Sequence, residues 1–369
     1  MNKIFPILLL ALIIAACSSS DDSVVSETPG NTSFDRAGML RNIADNIIVP
    51  AYQGLSTNLG ALSTAKDDFV ATPNQANLET LRSAWFTAYK SWQHVEAFNI
   101  GKAEEIQYSF QMNIYPVNTT DVESNITGGS YDLTHPNNND AVGFPALDYM
   151  LYGLDATDVA ILEKYTTNTE SSKYKTYLSD LVNQMQLLTQ EVLSDWTTSY
   201  RDIFISSTAN TATSATNKFI NDFIFYYEKG LRVTKIGIPA GNFSTTPLPE
   251  KVEAFYNQEV SKELALEALN AVQNIFNGTT FNGDSSGESF KTYLISLDRA
   301  DLATLINAQF NTSRGKIQVL NANFFTQINT DNTKMTQAYD ALQTTVVSLK
   351  VDMLQAFNVS VDYADADGD

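Results

Sequence analysis

Cysteine and histidine are nearly missing from this chain: Cys17 is the only cysteine, and His94 and His135 are the only histidines in 369 residues. A single cysteine excludes an internal disulfide and, where that cysteine is spent on a lipid as its neighbours below indicate, a thiol mechanism as well. Two histidines exclude a conventional catalytic zinc site, which draws three protein ligands, mostly histidine, around an open position. No His-Glu-x-x-His helix, Gly-x-Ser-x-Gly elbow, P-loop or dinucleotide fingerprint occurs. A glycosidase needs two carboxylates, but the 42 acidic residues single out no pair. Positive charge is scarce as well, with 23 Lys and Arg against 42 Asp and Glu for a net charge of −19. That balance excludes nucleic acid and anionic membrane surfaces as ligands and makes cations electrostatically welcome.

Long apolar runs are confined to the N-terminus. Lys3 is followed by an apolar run over residues 4–16, then Ile14-Ala15-Ala16-Cys17. The run is too short for a permanent membrane span, and small residues before a cysteine fit cleavage there and lipidation of Cys17. Residues 1–16 are therefore expected to be a signal peptide and residues 17–33 a lipidated tether, since Ser, Thr, Pro and Gly there cannot support a core. The acidic pair Asp21-Asp22 resembles the surface-export signal of some Gram-negative lipoproteins; a solvated tether without an address is the alternative. The expected location is the outer membrane, facing the periplasm or the cell surface. At the other end, residues 362–369 look superficially like a calcium loop but lack its glycine and glutamate spacing, so they read as a solvated acidic tail.

Between the ends the apolar residues recur by threes and fours. Leu78, Leu81, Trp85, Ala88, Trp92 and Val95 form one stripe; Leu178, Leu181, Met185, Leu188, Val192 and Trp196 a second; Met335, Tyr339, Leu342, Val346, Leu349 and Met353 a third. Tryptophans and methionines on such stripes read as core packing rather than as a cofactor box. Further helices are expected at residues 35–49 with a kink at Pro50, 217–231, 249–276, 288–310 and 316–329, and short β pieces at 114–117 and 359–363. The fold expected is all-α, two four-helix-bundle-like domains packed together: residues 34–236, with an irregular insertion at 118–140, and residues 237–369.

Several segments resemble the imelysin family in the family's order. They are Trp92-Gln93-His94-Val95-Glu96-Ala97-Phe98, then Gly143-Phe144-Pro145-Ala146-Leu147-Asp148, then Lys235-Ile236-Gly237-Ile238-Pro239-Ala240-Gly241-Asn242, and Pro249-Glu250-Lys251-Val252-Glu253-Ala254-Phe255-Tyr256. The resemblance implies an all-helical exported bacterial protein, a site in the groove between bundles, and an association with iron uptake. It marks Glu96, Gly143, Pro145, Asp148 and Asn242 as ligand-binding candidates, with Glu96 and Asp148 as metal candidates for iron or another divalent cation. The family's glycine is followed by a histidine and, three residues later, a glutamate; here Pro145 and Asp148 stand in their places. Proline offers no donor atom, so a metal-ligand pair one turn apart is reduced to one carboxylate.

For these residues the plain structural alternatives stand beside the functional ones. Asp148 also fits a charge near a helix N-terminus, with Pro145 in its first turn. Glu96, set among Trp92, Val95 and Phe98, also fits a buried carboxylate paired with a cation such as Arg232 or Lys235. Gly241-Asn242 also fits a turn after Pro239. The expectation is a non-peptidase lipoprotein that binds a cation, an iron chelate or an iron-uptake envelope protein; the alternatives are a metallopeptidase with an unrecognised site and a structural surface adaptor.

Overall fold

In the computed structural model, which describes residues 34–363, the chain runs as helix after helix from Arg36 to Phe357. No residue in this range belongs to a strand, and the stretches 114–117 and 359–363 are irregular. An isolated bridge pairs Thr279 with Ser286 inside the polar loop that follows Asn277. The elements that matter below are α1 (Arg36–Ile43), α2 (Val49–Ala71), α3 (Gln75–Trp92), α4 (Gly143–Asp148), α5 (Ser171–Asp195), α6 (Ala215–Phe225), α7 (Ser261–Asn277), α8 (Ala300–Gln318) and α9 (Phe324–Val347). Residues 1–33, with Cys17 and the expected signal and tether, and residues 364–369 lie outside the described range.

The three apolar stripes face the interior. Trp85, Trp92 and Trp196 are each no more than 1% exposed, and of the eighteen stripe residues only Leu188 and Tyr339 are half-buried. Full burial of each large apolar side chain is worth about 1.5–3 kcal/mol, which is what turns the threes-and-fours pattern into packed helices. Side-chain caps set where helices begin: Asn74 accepts the N–H of Asn77 at 2.9 Å, and Asn323 that of Thr326 at 2.8 Å. Helix α2 packs between α3 and α5, while α8, α9 and the stretch after α6 form a second group. Helix α1 reaches the loop that follows α7, where Asn42 donates to the carbonyls of Gly278 and Glu288 at 3.0 and 3.1 Å. From Asp35 on, the described residues form one compact unit.

Departures from the expected helices have local causes. Pro50 stands in the first turn of α2, and α1 runs into α2 through a wide turn at Ala44–Ile48. Lacking an N–H, Pro50 leaves the carbonyl of Asn46 free, and the N–H of Phe281 takes it at 2.8 Å. Residues 118–140 hold a helix, Thr119–Gly128, because Asn118 caps it by accepting the N–H of Asp121. Residues 288–310 break where Asp298 takes a positive φ of 58°, and residues 316–329 break before the Asn323 cap. Helix α6 continues past Phe225 through wide turns, Tyr226–Gly237, into Ile238–Ala240, so the expected division at 236/237 falls within continuous helix.

The largest departure is in residues 249–276. Only a short turn, Pro249–Lys251, precedes an irregular stretch, and helix α7 starts at Ser261. Within that stretch Ala254 and Gln258 have φ of 56° and 65°. The N–H groups of Tyr256 and Asn257, which a helix would spend on carbonyls four residues back, are given instead to the Asp148 side chain.

Candidate functional site

The chain places Asp148 through Gly143. Gly143 opens α4 with φ of +72°, and a Cβ there would run into the backbone carbonyl of Met112. Only glycine permits both the angle and the approach. The next residue fixes α4 on α3: Phe144 stacks on Tyr89 with ring centroids 4.5 Å apart, and its carbonyl accepts from Trp85 Nε1 at 3.2 Å. Pro145 occupies the third helical position, still in the first turn, where its missing N–H costs nothing.

Asp148 is the last residue of α4, so it is not a charge at the start of its own helix. It is 2% exposed, and its two oxygens accept the N–H groups of Tyr256 and Asn257 at 2.8 and 2.9 Å. Burial pushes its carboxyl up to about 7; the two N–H bonds pull the other way without prevailing. Pro145 and Asp148 border a cavity of about 150 Å³ together with Tyr115, Val252, Phe255 and Tyr256. Pro116 and Glu250, on its rim, are exposed.

A second polar centre lies next to this one. Glu96 follows α3 in a tight turn, where its N–H and that of Val95 both donate to the carbonyl of Trp92 at 3.0 and 2.9 Å. Its Oε2 lies 3.2 Å from Lys235 Nζ and accepts from the Tyr226 hydroxyl at 2.9 Å. The same ammonium donates to both oxygens of Glu253, at 2.8 Å each. Asn113 Nδ2 bridges the two carboxylates, at 2.8 Å to Glu96 and 3.0 Å to Glu253, and its own carbonyl accepts from the Tyr89 hydroxyl at 2.6 Å. Gln93 Nε2 adds a donor to Glu253 at 3.2 Å. Burial first, then the charges of Glu253 and Glu96, hold the Tyr115 phenol well above its ordinary range, and Tyr115 also lines the cavity.

Of the two cations named as partners for Glu96, Lys235 reaches it, whereas Arg232 packs against Glu228, Tyr339 and Gln343. Glu96 and Asp148 take entirely different partners, and Asp148 and Pro145, but not Glu96, border the cavity. Asn242 is exposed in the turn after Gly241, its N–H on the carbonyl of Gly237, and does not border the cavity. The histidines are apart: His94 Nε2 is 2.6 Å from Glu267, and His135 Nδ1 accepts the N–H of Asn137. Sequence reasoning assigned no role to Glu253, Asn113, Gln93, Tyr226 or Tyr115. Glu253 carried a signal all the same, since it lies in the Pro249–Tyr256 segment that resembles the family and is flanked by Val252 and Ala254.

The imelysin family model, named also as peptidase M75, matches residues 48–353. Iron-regulated protein A of Synechococcus elongatus is 20% identical over 311 residues, 83% of this chain and 78% of that protein. Two crystal structures share the fold: an iron-regulated protein A precursor from Parabacteroides distasonis and an imelysin-like protein from Psychrobacter arcticum. The first has a TM-score of 0.68 at 18% identity, over 87% of this chain and 97% of that one. The second has a TM-score of 0.69 at 14% identity, over 90% and 99%. The peptidase name implies a metal ion, and the donors present do not fit one. Pro145 has no ligand atom, both Asp148 oxygens hold backbone N–H groups, and an ammonium sits between Glu96 and Glu253. Among the described residues no three His, Cys, Asp or Glu side chains are grouped to hold a metal.

Proposed function

The chain belongs to the imelysin family, and on that footing we propose that it is a lipid-anchored envelope protein of iron acquisition that binds rather than cleaves. The iron connection rests on the names of its relatives, and the anchor on Cys17 and the residues before it. The cavity beside Asp148 carries the reading of the ligand. About 150 Å³ lined by Tyr115, Pro145, Val252, Phe255 and Tyr256 is room for one aromatic ring. Its walls are apolar with a few oriented polar groups, which is the usual make-up of a small-molecule pocket. Its one buried carboxylate is already spent on backbone donors, so the pocket favours an organic group over a bare ion. An aryl ring of an iron chelate, or of a partner protein's side chain, meets those requirements.

Calorimetry of the protein without its signal peptide tests this directly. A ferric catecholate chelate is expected to bind, with affinity falling at least about tenfold in Tyr256→Ala, the loss of roughly 1.4 kcal/mol of ring contact. Ferrous and calcium salts are expected to give no heat. Heat from the bare ions that disappears in Glu96→Gln would replace the organic ligand with a cation. Zinc-dependent cleavage of a broad peptide library, lost on chelation, would restore a peptidase.

A further inference from the structure

We propose that Lys235 is the resident cation of the Glu96–Glu253 centre, its ammonium seated where a metal ion would otherwise bridge the two carboxylates. An ammonium has three N–H donors, and three carboxylate oxygens lie around Lys235 Nζ, two of Glu253 at 2.8 Å and one of Glu96 at 3.2 Å. These are hydrogen-bond distances, longer than the 2.0–2.6 Å or so at which carboxylates hold zinc, magnesium or calcium. Further donors surround the same carboxylates: Asn113 on both, Gln93 on Glu253 and Tyr226 on Glu96.

Charge explains why the lysine is held. Two carboxylates facing each other at 2% and 14% side-chain exposure need a compensating cation, and Lys235 is itself 2% exposed. Burial alone would draw the proton off such a lysine, yet Glu253 and Glu96 outweigh it and the net direction is upward. One ammonium against two carboxylates leaves a single negative charge, which the amides of Asn113 and Gln93 and the hydroxyl of Tyr226 share. The backbone supports the arrangement from four segments: the end of α3, the loop of Asn113, the wide turns after α6, and the irregular stretch that Asp148 grips. The centre is thus an ionic tie completed by the chain's own groups.

Thermal unfolding with and without manganese or zinc tests the assignment. The wild-type protein is expected to show no metal-dependent rise in Tm that Glu96→Gln or Glu253→Gln abolishes. Lys235→Ala, which empties the ammonium position and leaves both carboxylates, is expected to melt lower and to gain a saturable Tm rise of about 5 °C with either ion. A wild-type metal response lost in the two glutamine variants would overturn the proposal, as would a folded Lys235→Ala that ignores both ions. Should Lys235→Ala fail to fold, Lys235→Met is compared with Lys235→Met/Glu253→Gln. Recovery of soluble, cooperatively melting protein in the double variant supports charge compensation. A double variant no better than the single one overturns the proposal, because the lysine would then act through its packing alone.

Discussion

Glu253 and Asp148 are equally buried, at 2% exposure each, and are compensated in opposite ways. Glu253 has a full positive charge at 2.8 Å; Asp148 has two backbone N–H groups and no cation among its hydrogen-bond partners. The contrast teaches what each kind of partner supplies. An ammonium cancels charge and so makes a tie that depends on the ion being present. Backbone dipoles hold geometry well but do not fully offset the lost hydration of a carboxylate, and Asp148 is left with its proton within reach near neutral pH. The two solutions also converge on one segment, since Glu253 anchors the irregular stretch after Lys251 from within and Asp148 grips it three residues on, at Tyr256.

Removing the ion should have the largest effect. Lys235→Met leaves one buried and one partly buried carboxylate without a cation, and a loss of about 5 kcal/mol is expected in urea unfolding at pH 7, the upper end for breaking a buried pair. Next comes the pH dependence of Asp148. Its folded-state value near 7 lies above the ordinary 3.8, so the folded form binds the extra proton between those values. Its contribution to stability is therefore fully present below about pH 4 and lost as pH rises through about 7, a swing of up to about 4 kcal/mol. Asp148→Asn should remove that swing, so the stability difference between wild type and variant falls steadily from pH 4 to pH 8 in denaturant titrations. A flat difference would mean the N–H groups compensate the carboxylate as fully as the lysine does Glu253.

Smaller changes sharpen the same contrast. Tyr226→Phe takes one neutral donor from Glu96 and leaves Lys235 in place, so about 2 kcal/mol is expected, measurable by the same unfolding curves. A loss as large as that of Lys235→Met would shift the weight of the centre from the ion to its hydrogen bonds. Asn242→Ala, in its exposed turn, should change stability by less than about 0.5 kcal/mol and leave chelate binding unaltered.

What could be read from the residues alone follows from how far their partners lie. The stripes ending in Val95, Trp196 and Met353 were legible because burial in helices repeats every three or four positions, a purely local signal. The Lys235 partner of Glu96 was legible as one of two cations because a glutamate among aromatics requires one. The stretch 252–260 was not legible as irregular, since what undoes its helix is a carboxylate more than a hundred residues away. Tyr226 was hidden for a geometric reason. Nine positions are about two and a half turns of an α-helix, which would put Tyr226 and Lys235 on opposite faces. In the wide turns of Tyr226–Gly237, with i→i+5 bonding, nine positions come to roughly two whole turns, and both side chains reach the same oxygen of Glu96.

Those wide turns make the spacing between Tyr226 and Lys235 as much a determinant of the centre as the side chains themselves. Deleting one residue from that interval would keep the tyrosine, the lysine and both glutamates, yet swing the ammonium by about 80° away from them, the rotation per residue when nine positions make two turns. Length, then, matters here more than composition: a change of amino acid inside the interval can leave the ionic tie standing, while a deletion cannot.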